Sequence, residues 1–190
     1  GVRLTGFWHD YRGTVRNLTL GERANDQQNW GLRGKFKTEF GAATFTLTGA
    51  YAKSTQDGTT TTLRGIVGTG TPNLFGNAGL PLIPSLVGIT PGAGNYNARV
   101  DAPGATTNKT ASIAGKFNLD LGFANLISVT ALQDWKFRFQ NDVDGTDINA
   151  LNVLAPPAQG GLAQTGPYHS TNFTQELRLV SSGNSALKYV

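Results

Sequence analysis

The stretch "NWGLRGKFKTEFGAATFTLTGAYAK", residues 29–53, alternates with a period of two. From Trp30 onward Leu32, Gly34, Phe36, Thr38 and Phe40 are apolar, small or neutral, while Gly31, Arg33, Lys35, Lys37 and Glu39 between them carry the charge. Successive side chains of a β-strand point to opposite faces, so this spacing predicts a strand with one charged and one apolar face. After a Gly41-Ala42 turn the alternation resumes, with Phe45, Leu47, Gly49 and Tyr51 set against Thr44, Thr46, Thr48, Ala50 and Lys53. The pair is predicted to be an antiparallel hairpin.

The same period recurs along the chain. Val2, Leu4, Gly6 and Trp8 oppose Arg3, Thr5 and His9, and Ala111, Ile113, Gly115, Phe117, Leu119 and Leu121 oppose Ser112, Ala114, Lys116, Asn118 and Asp120. Ile127, Val129, Ala131, Trp135, Phe137 and Phe139 alternate with Ser128, Thr130, Asp134, Lys136 and Arg138, and Phe173, Leu177 and Leu179 with Thr174, Glu176 and Arg178. A further strand begins at Leu187. About seven strands are predicted. Short turns at 40–43, 121–125 and 181–185 alternate with long Gly-, Pro-, Asn- and Thr-rich segments at 13–29, 54–109 and 141–171, which puts long and short loops at opposite ends of the sheet. No helix is expected in the long segments.

Composition limits what these faces can meet. In 190 residues, 25 are Gly, only 15% are charged and 38% are hydrophobic, few for a chain that must fill a core on its own. The chain has no Cys, which excludes disulfides, thiol nucleophiles and cysteine metal ligands. The longest apolar run, "GLPLIPSLVGI" at 79–89, is broken by two prolines. It is far short of the roughly 20 residues of a membrane-spanning helix. The net charge of +4 is spread singly along strands among acids, without the clustered basic patch of a nucleic-acid interface, so no nucleic-acid partner is expected.

Two architectures give strands with one apolar face. A soluble sandwich buries that face against a second sheet. A membrane β-barrel presents it to lipid, with strands of about 10 residues, short turns at one end, long loops at the other and aromatic girdles at both interfaces. The barrel is the expected fold: an all-β, antiparallel transmembrane β-barrel segment of about seven strands with short periplasmic turns and long extracellular loops. Trp8, Trp30, Phe36, Phe45, Tyr51, Phe117, Trp135, Phe137 and Phe173 are its expected lipid-face aromatics. Arg33, Lys35, Lys37, Lys116, Asp134, Lys136, Glu176 and Arg178 are its expected lumenal wall charges. Seven strands cannot close a single-chain barrel, so residues 1–190 are expected to be part of the barrel domain of a longer chain. A non-transport β-sandwich or adhesin-like surface protein is the alternative.

Three segments resemble TonB-dependent outer-membrane receptors. "NFTQELRLVSSGNSALKYV" (172–190) resembles that family's strand, polar turn and aromatic strand; "LISVTALQDWKF" (126–137) and "NWGLRGKFKTEF" (29–40) resemble two further strands in the right order. Leu132 and Gln133 depart from it, standing where an aromatic and a basic residue are common. The resemblance implies a barrel of about 22 strands around a plug domain, located in a bacterial outer membrane. It implies binding of a scarce nutrient, such as a ferric siderophore, at the outer loops and import energised by TonB through the plug. The implied partners are outer-membrane lipid, the receptor's own plug and remaining strands, TonB and a small-molecule ligand.

No enzymatic chemistry is expected. His9 and His169 are the only histidines, with no Ser-His-acid grouping and no metal-ligand spacing around them. "GTGTPNLFGNAG" (68–79) lacks the remaining residues of both phosphate-binding fingerprints. No cofactor, metal or catalytic residue is therefore assigned. Arg12, Arg16, Arg64, Tyr96, Arg99, Tyr168 and His169, in or beside the long loops, are the ligand-binding candidates. The wall charges have two readings: cross-strand pairs and plug contacts, or guidance of an anionic ligand.

Overall fold

A computed structural model describes residues 1–58, 60–64, 87–102, 104–143, 145–148, 161–182 and 189. Most of the 79–89 run and the start of the expected strand at Leu187 lie outside the described residues. Nine strands and no helix occur among those described: β1 Val2–Tyr11, β2 Val15–Asn17, β3 Glu22–Ala24, β4 Gln27–Phe40, β5 Ala43–Gln56, β6 Asn97–Ala98, β7 Ala105–Asp120, β8 Ala124–Asp142 and β9 Ala163–Ser181. Six of them form one antiparallel sheet in the order β1-β4-β5-β7-β8-β9, each paired with the next along almost its whole length. The protein is all-β.

The turns at one end are tight because glycine allows them to be. Gly41 and Gly122 both take φ values of the left-handed region, 58° and 82°, where a side chain would clash with its own backbone. The Asp120 carboxylate accepts from the Gly122 amide at 2.8 Å and fixes the second turn. At the other end the connections are long, and three of the short strands sit in them. Strands β2, β3 and β6 form a small separate sheet in the order β3-β2-β6, with Val15, Ala24 and Ala98 as a three-residue core. The sequence predicted no strand there.

The ladder assigns every residue of the large sheet to a face. On one face lie Val2, Leu4, Leu32, Phe36, Phe40, Leu47, Ile113, Leu132, Phe173, Leu177 and Leu179, all exposed, with Leu4 at 76% and Leu177 at 68%. Buried apolar residues among those described are four alanines and two valines, none of them large. No described element covers this face. Scattered exposed hydrophobics are ordinary, but a continuous face of them across six strands marks a contact with something other than water.

The upper edge of the apolar face runs diagonally. Its last large residues are Trp8 on β1 and Trp30 on β4, which are partners; Tyr51 on β5, one ladder row lower; and Ile113, Leu132 and Phe173 on β7, β8 and β9, one row lower again. Two rows are four residues, about 13 Å along the strands, over five strand spacings totalling about 24 Å. The resulting slope of about 30° is close to the tilt with which barrel strands cross a bilayer.

The register corrects four expected positions. Trp135 and Phe137 share their face with Arg33, Lys35, Lys37, Lys116, Glu176 and Arg178, the polar face, and not with Trp8, Trp30, Phe36, Phe45, Tyr51, Phe117 and Phe173. Asp134 and Lys136 lie on the apolar side, above Leu132. The alternation within β8 is as read, but Leu119 pairs with Leu126, and this puts Leu126 and Leu132 in the apolar face and Ile127, Val129 and Ala131 in the polar one. A one-residue difference in register exchanges the faces of a whole strand. Lys53 likewise shares the face of Tyr51, two residues away.

The register is directly testable because the chain has no native cysteine. Ala114→Cys combined with Ala131→Cys, at partnered positions, is expected to form a cross-strand disulfide on mild oxidation, whereas Ala114→Cys with Leu132→Cys is not. Mobility on non-reducing gels reads the outcome.

Candidate functional site

The long-loop end is tied together around one buried side chain. Asn17 is 2% exposed; its Nδ2 donates to the Val100 carbonyl at 3.0 Å, and its Oδ1 accepts from the amides of Thr19 at 3.1 Å and Val100 at 3.3 Å. A buried amide left unpaired would cost about 1–3 kcal/mol, so these bonds hold the two backbone segments to one geometry. The third long connection joins through Asp147, which accepts from the Thr19 hydroxyl at 2.7 Å and pairs with Arg99 at 3.0 Å. The three long loops thus meet in one cap.

Below the cap, at the upper end of the polar face, the side chains turn aromatic. Trp135, Phe137 and Phe139 on β8 follow one another at period two, and Tyr168 on β9 lies beside them. Ring centroids are 5.7 Å apart for Trp135 and Phe137, 6.1 Å for Phe137 and Phe139, 6.0 Å for Phe137 and Tyr168, and 6.1 Å for Phe139 and Tyr168. These separations fall in the range where aromatic pairs attract. The Trp135 indole N–H donates to Asn108 Oδ1 at 2.8 Å, which fixes the first ring. Gly166, opposite Phe139 in the ladder, leaves room for the last: a Cβ there would come within 2.6 Å of the ring. The four rings form a broad platform, with Tyr168 56% exposed.

At the short-turn end the same face is basic. Lys35, Lys37 and Lys116 converge with Thr44, Thr46, Asn118 and Ile127 around a shallow recess of about 670 Å³. Lys37 is paired with Glu39, and Arg178 with Glu176 along its own strand. The polar face therefore carries an aromatic platform near the long loops and a basic trough near the short turns.

The structure brings together some of the expected ligand-binding residues and separates others. Arg64 lies over the Tyr96 ring at 5.7 Å and donates to the Gly92 and Ala93 carbonyls. Arg99 pairs with Asp147 and donates to the Val87 carbonyl at 2.7 Å, so it braces the loops. Arg12 follows β1 and Arg16 lies in β2, both exposed. Tyr168 and His169 belong to β9 and not to a loop, because β9 extends nine residues earlier than its alternation indicated. As neighbours in a strand they point to opposite faces: Tyr168 joins the aromatic platform, and His169 contacts Asp134 on the other side. Phe139, Asn108 and Gly166 were not expected in the site, although the Trp135-x-Phe137-x-Phe139 spacing is visible in the sequence. Asn17 gives no sequence signal for its anchoring role. Among the described residues there is no cluster of three or more His, Asp and Glu side chains at metal-binding reach.

Asp57 lies just past β5, at this end of the sheet. Loss of hydration pushes its carboxyl above the ordinary value of 3.8, and the charges of Asp26 and Glu22 push the same way.

No protein-family model, curated protein or solved structure matches this chain.

Two outcomes follow from this geometry. Gly166→Leu is expected to displace Phe139 and cost about 1–3 kcal/mol of stability, read by denaturant unfolding followed through tryptophan fluorescence. A carboxyl whose pKa is raised in the folded state binds its proton more tightly there than in the unfolded chain, so stability falls as pH rises from 3.8 through the raised value. Asp57→Asn is accordingly expected to match the unmodified protein in melting temperature below that window and to exceed it at neutral pH.

Proposed function

We propose that these residues are an arc of the wall of an outer-membrane β-barrel receptor of the TonB-dependent type, which binds a scarce small-molecule nutrient at its outer mouth and imports it, with no catalytic step. The observation that carries this reading is the exposed apolar face with its diagonal upper edge. Lipid satisfies such a face, and strand tilt explains the slope. A sandwich would instead need a second layer over it. The three segments that resemble this receptor family support the finer reading, including the bacterial outer membrane and energy supplied by TonB through a plug.

On this reading the polar face looks into the lumen. The aromatic platform of Trp135, Phe137, Phe139 and Tyr168 then lies where an incoming ligand first leaves bulk water, and flat rings offer it large, rigid contact area. The basic trough of Lys35, Lys37 and Lys116 lies toward the periplasmic end, suited to hydrogen bonds and ion pairs with a plug. Positive potential along this wall also favours an anionic ligand such as a ferric chelate.

Single cysteines test the membrane reading. In outer-membrane preparations Leu47→Cys and Leu132→Cys are expected to resist a charged maleimide and react with an apolar one, while Thr48→Cys and Gln133→Cys react with the charged reagent. Equal reaction of all four with the charged reagent would sink the reading. Binding of ferric chelates, followed by tryptophan quenching, is expected to weaken at least tenfold in Phe137→Ala.

A further inference from the structure

One ladder row crosses all six strands of the large sheet: Trp8, Trp30, Lys53, Lys109, Lys136 and His169, each the Cα partner of the next. Its last four members are three lysines and a histidine on consecutive strands, all on the apolar side of the sheet. Like charges directly opposite one another destabilise a strand pair. Lys53 and Lys109 form no ion pair among the described residues. Asp134, one row lower on β8, contacts both Lys136, at 3.4 Å, and His169, and Asp10 lies one row higher at the β1 edge. Arg138, one row further up, adds another cation on the same side.

The position of this row is as informative as its charge. Lys53 is two residues beyond Tyr51, Lys136 is four beyond Leu132, and Lys109 and His169 stand four residues before Ile113 and Phe173. The cations therefore begin about 7–13 Å along the strands from the last large apolar side chain. The headgroup layer of a bilayer is about 5–8 Å deep on each side of its hydrocarbon core, and tilted strands shorten the rise to a similar depth. Trp8 and Trp30 in the same row, with Tyr51 beside Trp30 at a centroid distance of 5.3 Å, are the side chains that prefer that interface. The surface is also shaped to receive a group. Lys109, Lys136, Arg138 and His169 contribute to a recess of about 540 Å³ that is also lined by Thr107 and Pro167 and by Phe137 and Tyr168, which alternate with them along β8 and β9.

We propose that this row is a docking surface for the phosphate-bearing headgroups of anionic lipid in the outer leaflet, centred on Lys109, Lys136 and Arg138. The proposal rests on the membrane-barrel reading, because only a sheet whose apolar face is in lipid holds these cations at headgroup depth. A bound phosphate relieves the repulsion between facing lysines, so lipid and sheet stabilise each other.

The test uses the protein in a neutral detergent doped with phosphatidic acid or phosphatidylcholine, with retained lipid counted by native mass spectrometry. The unmodified protein is expected to retain phosphatidic acid preferentially. The triple variant Lys109→Gln, Lys136→Gln, Arg138→Gln is expected to bind it on the order of a hundredfold more weakly, since each cation near an anionic surface contributes about a factor of five. Lys109→Arg with Lys136→Arg, which keeps the charge, is expected to retain it. Equal retention by the triple variant and the unmodified protein overturns the proposal, as does displacement of the lipid by inorganic phosphate at millimolar concentration. Protein that stays monodisperse and β-structured without any detergent overturns the barrel reading itself, a result distinct from the other two.

Discussion

The backbone ladder from β4 through β9 is the interaction on which everything else depends. Most folds hold their strands in place by burying side chains between layers, but here no large apolar residue among those described is buried. Position is set by paired N–H and C=O groups along strands of 14 to 19 residues. Inside a low-dielectric surrounding each such bond gains strength and each unmade one costs more. A long, unbroken ladder thus suits the lipid-facing sheet proposed above.

That dependence also explains what the sequence does and does not disclose. Leu32, Phe36, Leu47 and Phe117 are apolar at one parity and have charge or threonine beside them at the other, so their strands and faces are readable one strand at a time. Strand β8 is different. Leu126 and Leu132 stand at one parity, Ile127, Val129 and Ala131 at the other, and all of its charged residues before Asp142 lie in its outer half. Its face is decided by the turn at Gly122, which sets Leu126 against Leu119. That is a relation between strands which no single strand contains.

The cap and the extension of β9 escape the sequence for a related reason. Ala163 to Thr171 includes Gly166 and Pro167 and shows no alternation, and Pro167 contributes no N–H. Pairing with the outer half of β8 nevertheless keeps the segment extended. Strands β2, β3 and β6 are two or three residues long, too short for any period, and are fixed by the hydrogen bonds of Asn17 to a backbone more than eighty positions away. Asn17, Arg99 and Asp147 act as structure, although the arginine alone had the look of a binding residue.

Once the register is known, the faces exchange character along their length. In the lower part of the sheet one face is rich in leucine and phenylalanine and the other in lysine and arginine; on β7, β8 and β9, above the row of Ile113, Leu132 and Phe173, the first becomes Lys109, Lys136 and Arg138, and on β8 and β9 the second becomes Trp135, Phe137, Phe139 and Tyr168. A sheet in uniform solvent gives no reason for both faces of β8 and β9 to change character at the same level. On the proposed barrel reading this inversion corresponds to a change of surroundings on each side: hydrocarbon giving way to charged headgroups outside, and a basic inner wall giving way to a mouth where rings would meet an incoming ligand. On that reading the aromatic side chains of the upper region belong to the inner surface and the charges beside them to the outer one, the reverse of what the same residue types signify about twenty ångströms below, roughly six residues along the strand.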